Sequence, residues 1–302
     1  MIPRVAIALL VLATFGCGSQ ERLDDAMLQR SVAKLTTDGF SGAIALVRAD
    51  GDVWRGASGY ENYRTKQRAD PTDRFAVEST TKTFVATVIL QLVDEGRLSL
   101  DDTLETLLPG RLPYGRRVTL RQVLNHTSGL PAASSIAEAA RQRLQSRPGS
   151  TFNYSNFNYV VAGTIVELVT GHRLDRVLRE RIIRPLRLTH TTSATTGYAG
   201  IVSTVDDLAT FFQALLGGRL LDADRMSEMT RVVEAGAESP GLGLFRIRTP
   251  CGFAWGHGGA GMIDSSMSLA SRDGSKVVVV ADNAADFDGA ESAAEEMYCA
   301  AG

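Results

Sequence analysis

Near both ends of the chain, apolar residues alternate with small or polar ones or run unbroken, in pairs separated by turn residues. Residues 41–48 (SGAIALVR) and 53–60 flank Asp50-Gly51-Asp52, which predicts a β-hairpin. Residues 266–271 and 276–281 (KVVVVA) flank Arg272-Asp273-Gly274 and predict a second one. A last helix is expected over residues 289–298, just before Cys299. The middle of the chain has a different period. Val85, Ala86, Ile89, Leu92 and Val93 recur at helical intervals within residues 83–95. Residues 157–170 stop at Gly171, 175–183 before Pro185, and 205–216 at Gly217-Gly218, each with helical apolar spacing. Residues 18–28 read as a polar linker or the start of a helix. Strands at both ends with helices between them predict an α/β (α+β) fold. Its antiparallel sheet is built from both chain termini, flanked by helices, with an all-helical lobe inserted. The α/β lobe would cover residues 25–80 and 240–302, the helical lobe residues 81–239. No internal repeat or low-complexity stretch is present.

With 302 residues, 44% of them hydrophobic, the chain can bury a sizeable core and is too apolar for disorder. A net charge of −2 supplies no basic field for a nucleic-acid backbone, so that class of partner is excluded. At the N-terminus, Arg4 precedes an apolar run over residues 5–15. The run is too short to span a bilayer and suits the core of a signal peptide, residues 1–17. The expected location is therefore outside the cytoplasm, extracellular or in the cell envelope. Cys17 right after this run resembles a bacterial lipoprotein signal, although Thr14 and Phe15 depart from the residues usual there. Lipidation of Cys17 stays open, and a lipid there is the one membrane attachment expected. With Cys17 removed or lipidated, Cys251 and Cys299 remain as an even pair, which reads as a disulfide in an oxidising compartment. Two buried free thiols are the alternative. There is no CxxC and the four histidines are scattered, so no zinc site is expected.

Three constellations carry candidate chemistry. The first is Ser79-Thr80-Thr81-Lys82 at the start of the residue 83–95 helix. The chain has 28 arginines and only four lysines, so a lysine at this place stands out. Lys82 precedes Ala86 by four residues and Ile89 by seven, and so points into the apolar stripe. A desolvated lysine loses its proton readily and can act as a base; an arginine cannot. Alternatively, Ser79 is a helix cap and Lys82 covers apolar surface with its stem. The second is Tyr154-Ser155-Asn156, before the residue 157–170 helix. A phenol near a lysine can relay a proton, and an amide can grip a substrate amide. An ordinary helix start with Asn156 as a cap is the plainer reading. The third is Gly256-His257-Gly258-Gly259-Ala260-Gly261, before a strand-like run at residues 262–271, where glycines let a substrate approach the backbone. This string also satisfies GxGxxG, with Asp282 about 20 residues on. The dinucleotide reading fails because an Asp-Gly turn and strand alternation follow where a helix is required. There is no GxSxG elbow and no P-loop lysine.

SxxK, then YxN, then a His-Gly motif on a late strand is the order found in penicillin-recognising serine hydrolases. Over residues 25–302 the chain resembles the class C β-lactamase and D-alanyl-D-alanine carboxypeptidase group, the Streptomyces-type carboxypeptidases most closely. Leu124-Asn125-His126-Thr127-Ser128-Gly129-Leu130, Gly200-Ile201-Val202-Ser203-Thr204 and the pair Cys251, Cys299 add to the likeness. The resemblance implies Ser79 as the acylated nucleophile and Lys82 as its base. It implies Tyr154 as the group that protonates the leaving group and activates water, and His257 as a source of field near Tyr154. Asn156 would orient the substrate amide, and Gly258, Gly259 and Ala260 would line the substrate, with the N–H groups of Ser79 and Ala260 as the oxyanion hole. His126 looks like a turn-forming structural residue. No metal or cofactor is implied. The partner is a small-molecule, peptide or peptidoglycan substrate, with a β-lactam as an inhibitor.

Two departures bear on specificity. Gly258 stands where the group often has a Thr that binds a substrate carboxylate, and Phe245 where the carboxypeptidases carry an Arg. Arg246 and Arg248 are near, but a strand turns them to the other face unless a bulge intervenes. The segments after Pro131 and Thr191 are shorter than in the group, which implies a more open cleft. The expectation is an exported serine hydrolase acting on peptides, amides or esters. An esterase of the same fold is the first alternative, a non-catalytic envelope protein that binds penicillin or peptidoglycan the second.

Overall fold

The computed structural model describes residues 23–302 except 38, 40, 236 and 237. The expected signal peptide and Cys17 lie outside the described residues. In chain order the strands are β1 (Gly42–Ala49), β2 (Asp52–Asn62), β3 (Gln67–Arg68), β4 (Phe75–Ala76), β5 (Val202–Ser203), β6 (Glu238–Pro240), β7 (Phe245–Thr249), β8 (Gly252–Ala260), β9 (Ser265–Ala270) and β10 (Val277–Asp282). The helices are α1 (Asp25–Lys34), α2 (Thr81–Asp94), α3 (Leu104–Leu107), α4 (Leu120–Leu124), α5 (Ile136–Ala139), α6 (Asn156–Thr170), α7 (Leu174–Leu178), α8 (Val205–Leu216), α9 (Ala223–Met229) and α10 (Phe287–Ala300).

Eight strands form one antiparallel sheet in the order β3-β2-β1-β10-β9-β8-β7-β6. Its middle is the junction of the two chain ends: β1 pairs with β10, from Ala43 opposite Asp282 to Arg48 opposite Val277. β10 is apolar from Val277 to Ala281 because both of its faces are covered. Val277, Val279 and Ala281 belong to the core shared with α2, α6 and α8. Val278 and Val280 belong to a second core with Leu28 and Val32 of α1 and Ala294 and Met297 of α10. Each such valine, fully buried, contributes roughly 1.5–3 kcal/mol relative to an exposed one. Cys251 and Cys299 are bonded and tie the β7–β8 turn to the end of α10.

The expected helical middle also holds two pieces of strand: β5, which pairs with β4, and the start of β6, which belongs to the main sheet. The helix expected over residues 175–183 is interrupted. α7 ends at Leu178 and the chain continues as a π-helical turn, Arg179–Ile183. Most of the glycine-rich string is itself strand, the end of β8, and the strand expected after it, β9, begins at Ser265. α6 matches its expected span, capped by the Ser155 hydroxyl at its start and by Gly171 in the left-handed region (φ 71°) at its end.

Candidate active site

Ser79 lies in a 3-10 turn, Glu78–Thr80, that runs straight into α2. Lys82, in the first turn of α2, is 0% exposed. Its Nζ is 2.8 Å from Ser79 Oγ and 3.3 Å from the Tyr198 carbonyl oxygen, to which it donates. The rings of Tyr154, Tyr159 and Tyr198 surround the amine, with centroids 4.9, 5.9 and 5.8 Å away. Burial lowers the Lys82 pKa to about 7; the Glu78 carboxylate opposes that shift and is outweighed. The amine is thus available as a base near neutral pH, one hydrogen bond from a hydroxyl.

Tyr154 is 41% exposed and forms one wall of the cleft. Beneath it lies His126, ring centroids 4.4 Å apart and planes tilted by 30°. His126 is in the left-handed region (φ 59°), as befits a turn. It also braces the Tyr154-Ser155-Asn156 segment. Its Nδ1 is 3.2 Å from the Ser155 N–H, which it accepts, and 3.1 Å from Asn158 Nδ2. Ser128 Oγ in turn donates to Asn158 Oδ1 at 2.6 Å. Burial holds His126 well below the usual histidine pKa, and Lys82 and His257 push it the same way. Ser155, rather than Asn156, caps α6. The Asn156 amide is left at the exposed start of that helix.

β8 runs against the Ser79 turn. Thr80 Oγ1 donates to the His257 carbonyl at 3.2 Å. A Cβ on Gly259 would come within 2.4 Å of the Val77 carbonyl oxygen, so glycine is required for this approach. Gly261 N–H donates to Asp264 O at 2.9 Å. Bonded and non-bonded pairs alternate in an antiparallel ladder, so the next pair, Ala260–Ser265, is non-bonded and the Ala260 N–H turns away from β9. His257 is buried on the Ser79 side of β8, its ring centroid 6.4 Å from that of Tyr154. Its Nδ1–H donates to the Gly258 carbonyl at 2.6 Å. Burial takes its pKa down to about 3, and Lys82 adds to the shift. The field His257 offers Tyr154 is therefore that of a neutral imidazole dipole, not of a cation.

Gly258 corrects a sequence-based expectation. It faces away from the cleft: a Cβ there would lie 2.4 Å from the Phe287 ring at the start of α10. The Phe245 ring packs on His257 (centroids 5.1 Å) and near Tyr154 (6.3 Å). The register from Phe245–Gly256 to Thr249–Gly252 is regular, with no bulge. Arg246 pairs with Glu234 at 2.9 Å, and both Arg246 and Arg248 lie over the Phe253 ring. Neither reaches the Ser79 cleft.

The structure therefore brings Ser79, Lys82, Tyr154 and His257 together, with Asn156 and Ala260 at the rim and Gly259 against the turn. The sequence reading did not single out Tyr198, Asn158 or Glu78. Nothing in the pattern marks Tyr198, which offers Lys82 its carbonyl and a ring 5.8 Å away. Asn158 could have been suspected as a polar residue on the buried face of an apolar helix. A cavity of about 830 Å³ lies elsewhere, lined in part by Tyr63, Asp73, Asp264 and Asn283; neither Ser79 nor Lys82 lines it.

The family model Beta-lactamase matches residues 25–297. A D-stereospecific amidohydrolase from Streptomyces sp. superposes with a TM-score of 0.81 at 32% identity, covering 91% of this chain and 98% of that one. A D-amino acid amidase from Ochrobactrum anthropi SV3, complexed with D-phenylalanine, has a TM-score of 0.82 over 91% of this chain and 98% of that one. Its identity is 23%, a likeness of fold. Protein flp of Staphylococcus aureus (strain MW2) is 30% identical over 177 residues, 52% of this chain. That match takes in only 36% of flp, so the chain spans little more than a third of this curated relative.

Proposed function

The chain belongs to the beta-lactamase family, and on that premise we propose that it is an exported serine hydrolase that cleaves small amides and esters through a Ser79 acyl-enzyme. The observation that carries this reading is the 2.8 Å contact between Ser79 Oγ and a buried Lys82 whose pKa is about 7. Neutral Lys82 takes the Ser79 hydroxyl proton as Oγ attacks the acyl carbon. The N–H groups of Ser79 and Ala260 stabilise the oxyanion. The leaving nitrogen or oxygen departs with the proton held by Lys82, passed on through the Tyr154 hydroxyl. Water then attacks the Ser79 ester by the reverse sequence. Asn156 orients the acyl part, and neutral His257 polarises the surroundings of Tyr154.

The apolar Phe245 ring, and the engagement of Arg246 and Arg248 away from the cleft, support amides and esters over peptides that end in a free carboxylate. The likeness to a D-stereospecific amidohydrolase at 32% identity supports the same class. The Cys251–Cys299 bond supports an oxidising compartment. Intact-mass measurement after treatment with a fluorophosphonate and with a penicillin tests the reading. One adduct on Ser79, absent from Ser79→Ala, is expected. An adduct elsewhere, or one retained by Ser79→Ala, rules the assignment out.

A further inference from the structure

Glu78 stands directly before the nucleophile and lies outside the chemistry described so far. Its φ is 44°, in the left-handed region that favours glycine. Val77 before it is right-handed (φ −78°, ψ −2°). A right-handed residue followed by a left-handed one makes successive N–H groups converge, an arrangement suited to holding an anion. Glycine would take this backbone with less strain. The side chain therefore needs its own explanation.

The Glu78 carboxylate lies against the backbone just past Ala260: a Cβ on Gly261 would be 2.7 Å from Glu78 Oε1. It thus flanks both proposed oxyanion donors. Glu78 is only half-buried, and among the described residues its carboxylate makes no hydrogen bond or ion pair. The titratable groups nearest the nucleophile give it no cation above neutral pH. Burial keeps Lys82, His126 and His257 largely uncharged there. On β7, Arg246 is held by Glu234 and lies with Arg248 over the Phe253 ring. An acyl carbonyl held between the Ser79 and Ala260 N–H groups would place the substituents of its α-carbon beside an unpaired negative charge.

We propose that the Glu78 carboxylate receives the α-ammonium of an amino-acid amide or ester, so that the enzyme selects acyl donors with a free amine. This rests on the hydrolase reading above, and the experiment separates the two. The probes are D-alanine p-nitroanilide and its N-acetyl counterpart. The wild-type protein is expected to prefer the free amine in kcat/KM by at least about tenfold, and Glu78→Gln to lower that ratio by at least about tenfold. Glu78→Gly, which also relaxes the backbone, should lower it as much. The preference should fade above about pH 8, where an α-amine loses its proton. A wild-type protein without the preference, or a ratio unmoved in Glu78→Gln, overturns the proposal. Fluorophosphonate labelling of Ser79 is run on all three proteins. Labelling with an unmoved ratio sinks the ammonium site alone, whereas no labelling of the wild type sinks the hydrolase reading and the site with it.

Discussion

A lysine at zero exposure with no carboxylate bonded to it is costly to keep charged, and Lys82 is in that position. Its lowered pKa makes the pH dependence of turnover calculable. The neutral amine is the active form and predominates above about pH 7. We expect kcat/KM to rise through pH 7 to a plateau, and to be about a hundredfold lower at pH 5, two units below that pKa. A profile flat between pH 5 and 8 would show that Lys82 is not the base. Lys82→Arg keeps the charge but cannot be deprotonated. It should cost at least the roughly 10²–10⁴ that a general base contributes, read as the rate of Ser79 labelling. The place of this residue, three after a serine at the start of an apolar helix, was legible in the sequence, but that spacing alone also fits a helix cap and a packed lysine stem; its role as a base was implied by the order of the three motifs together. The charge state of His257 was not legible, since it depends on how deeply β8 is covered. Nor was the φ of Glu78, since no local pattern announces a left-handed glutamate.

At the scale of elements, the β7–β8 hairpin carries the residues on which the proposed specificity rests. The sequence showed its chemistry but not its structure. Gly252–Ala260 contains four small residues in its last five positions, so the alternation of apolar and polar residues that marks a half-buried strand is missing. What makes it a strand is its ladders to β7 and β9 and its long-range approach to Val77. The hairpin also fixes which substitutions can restore a carboxylate-binding site. Gly258→Thr alone should not, because its side chain would enter the Phe287 ring rather than the cleft. Thermal or urea unfolding should show it destabilised by roughly 1–3 kcal/mol from overpacking, with Phe287→Ala recovering part of the loss. A gain of carboxypeptidase activity in Gly258→Thr would show that the strand rotates there. For the wild-type protein, one acyl group is compared with ester, amide and free-acid leaving groups. The ester and the amide should be cleaved at least as well as the free acid, since Arg246 and Arg248 are engaged elsewhere. A preference of about a hundredfold for the free acid, about 2.7 kcal/mol of transition-state binding, would refute the reading of Phe245.

For the whole molecule, the architecture follows from two hairpins at opposite ends of the chain whose strands must pair with each other. The hairpins were legible because each is local, a turn between two apolar runs. The strands β3 to β6 were not, because they have only two or three residues, too few to show an alternation, and β4 and β5 are held by each other from distant parts of the chain. The disulfide closes this arrangement. Cys251 sits in the turn between β7 and β8, and Cys299 near the end of α10. The same helix begins with Phe287, which lies under Gly258 of β8. Thus both ends of α10 are coupled to the strand that carries His257 and Ala260, one covalently and one by packing. With a sequence separation of 48 between the cysteines, the chain-entropy model assigns the bond about 4 kcal/mol. Reduction, or Cys299→Ser, is expected to lower the unfolding free energy by roughly 2–5 kcal/mol. The measurement is urea unfolding with and without reductant, after nonreducing peptide mapping has identified the bonded pair. Activity gives the second readout. Where reduced protein is still mostly folded, the rate of Ser79 labelling should fall by more than the unfolded fraction accounts for, because a looser α10 relaxes its hold on β8. Labelling that tracks the folded fraction alone would mean that the bond stabilises the fold without positioning the site. Two free thiols in protein from an oxidising compartment would remove the premise.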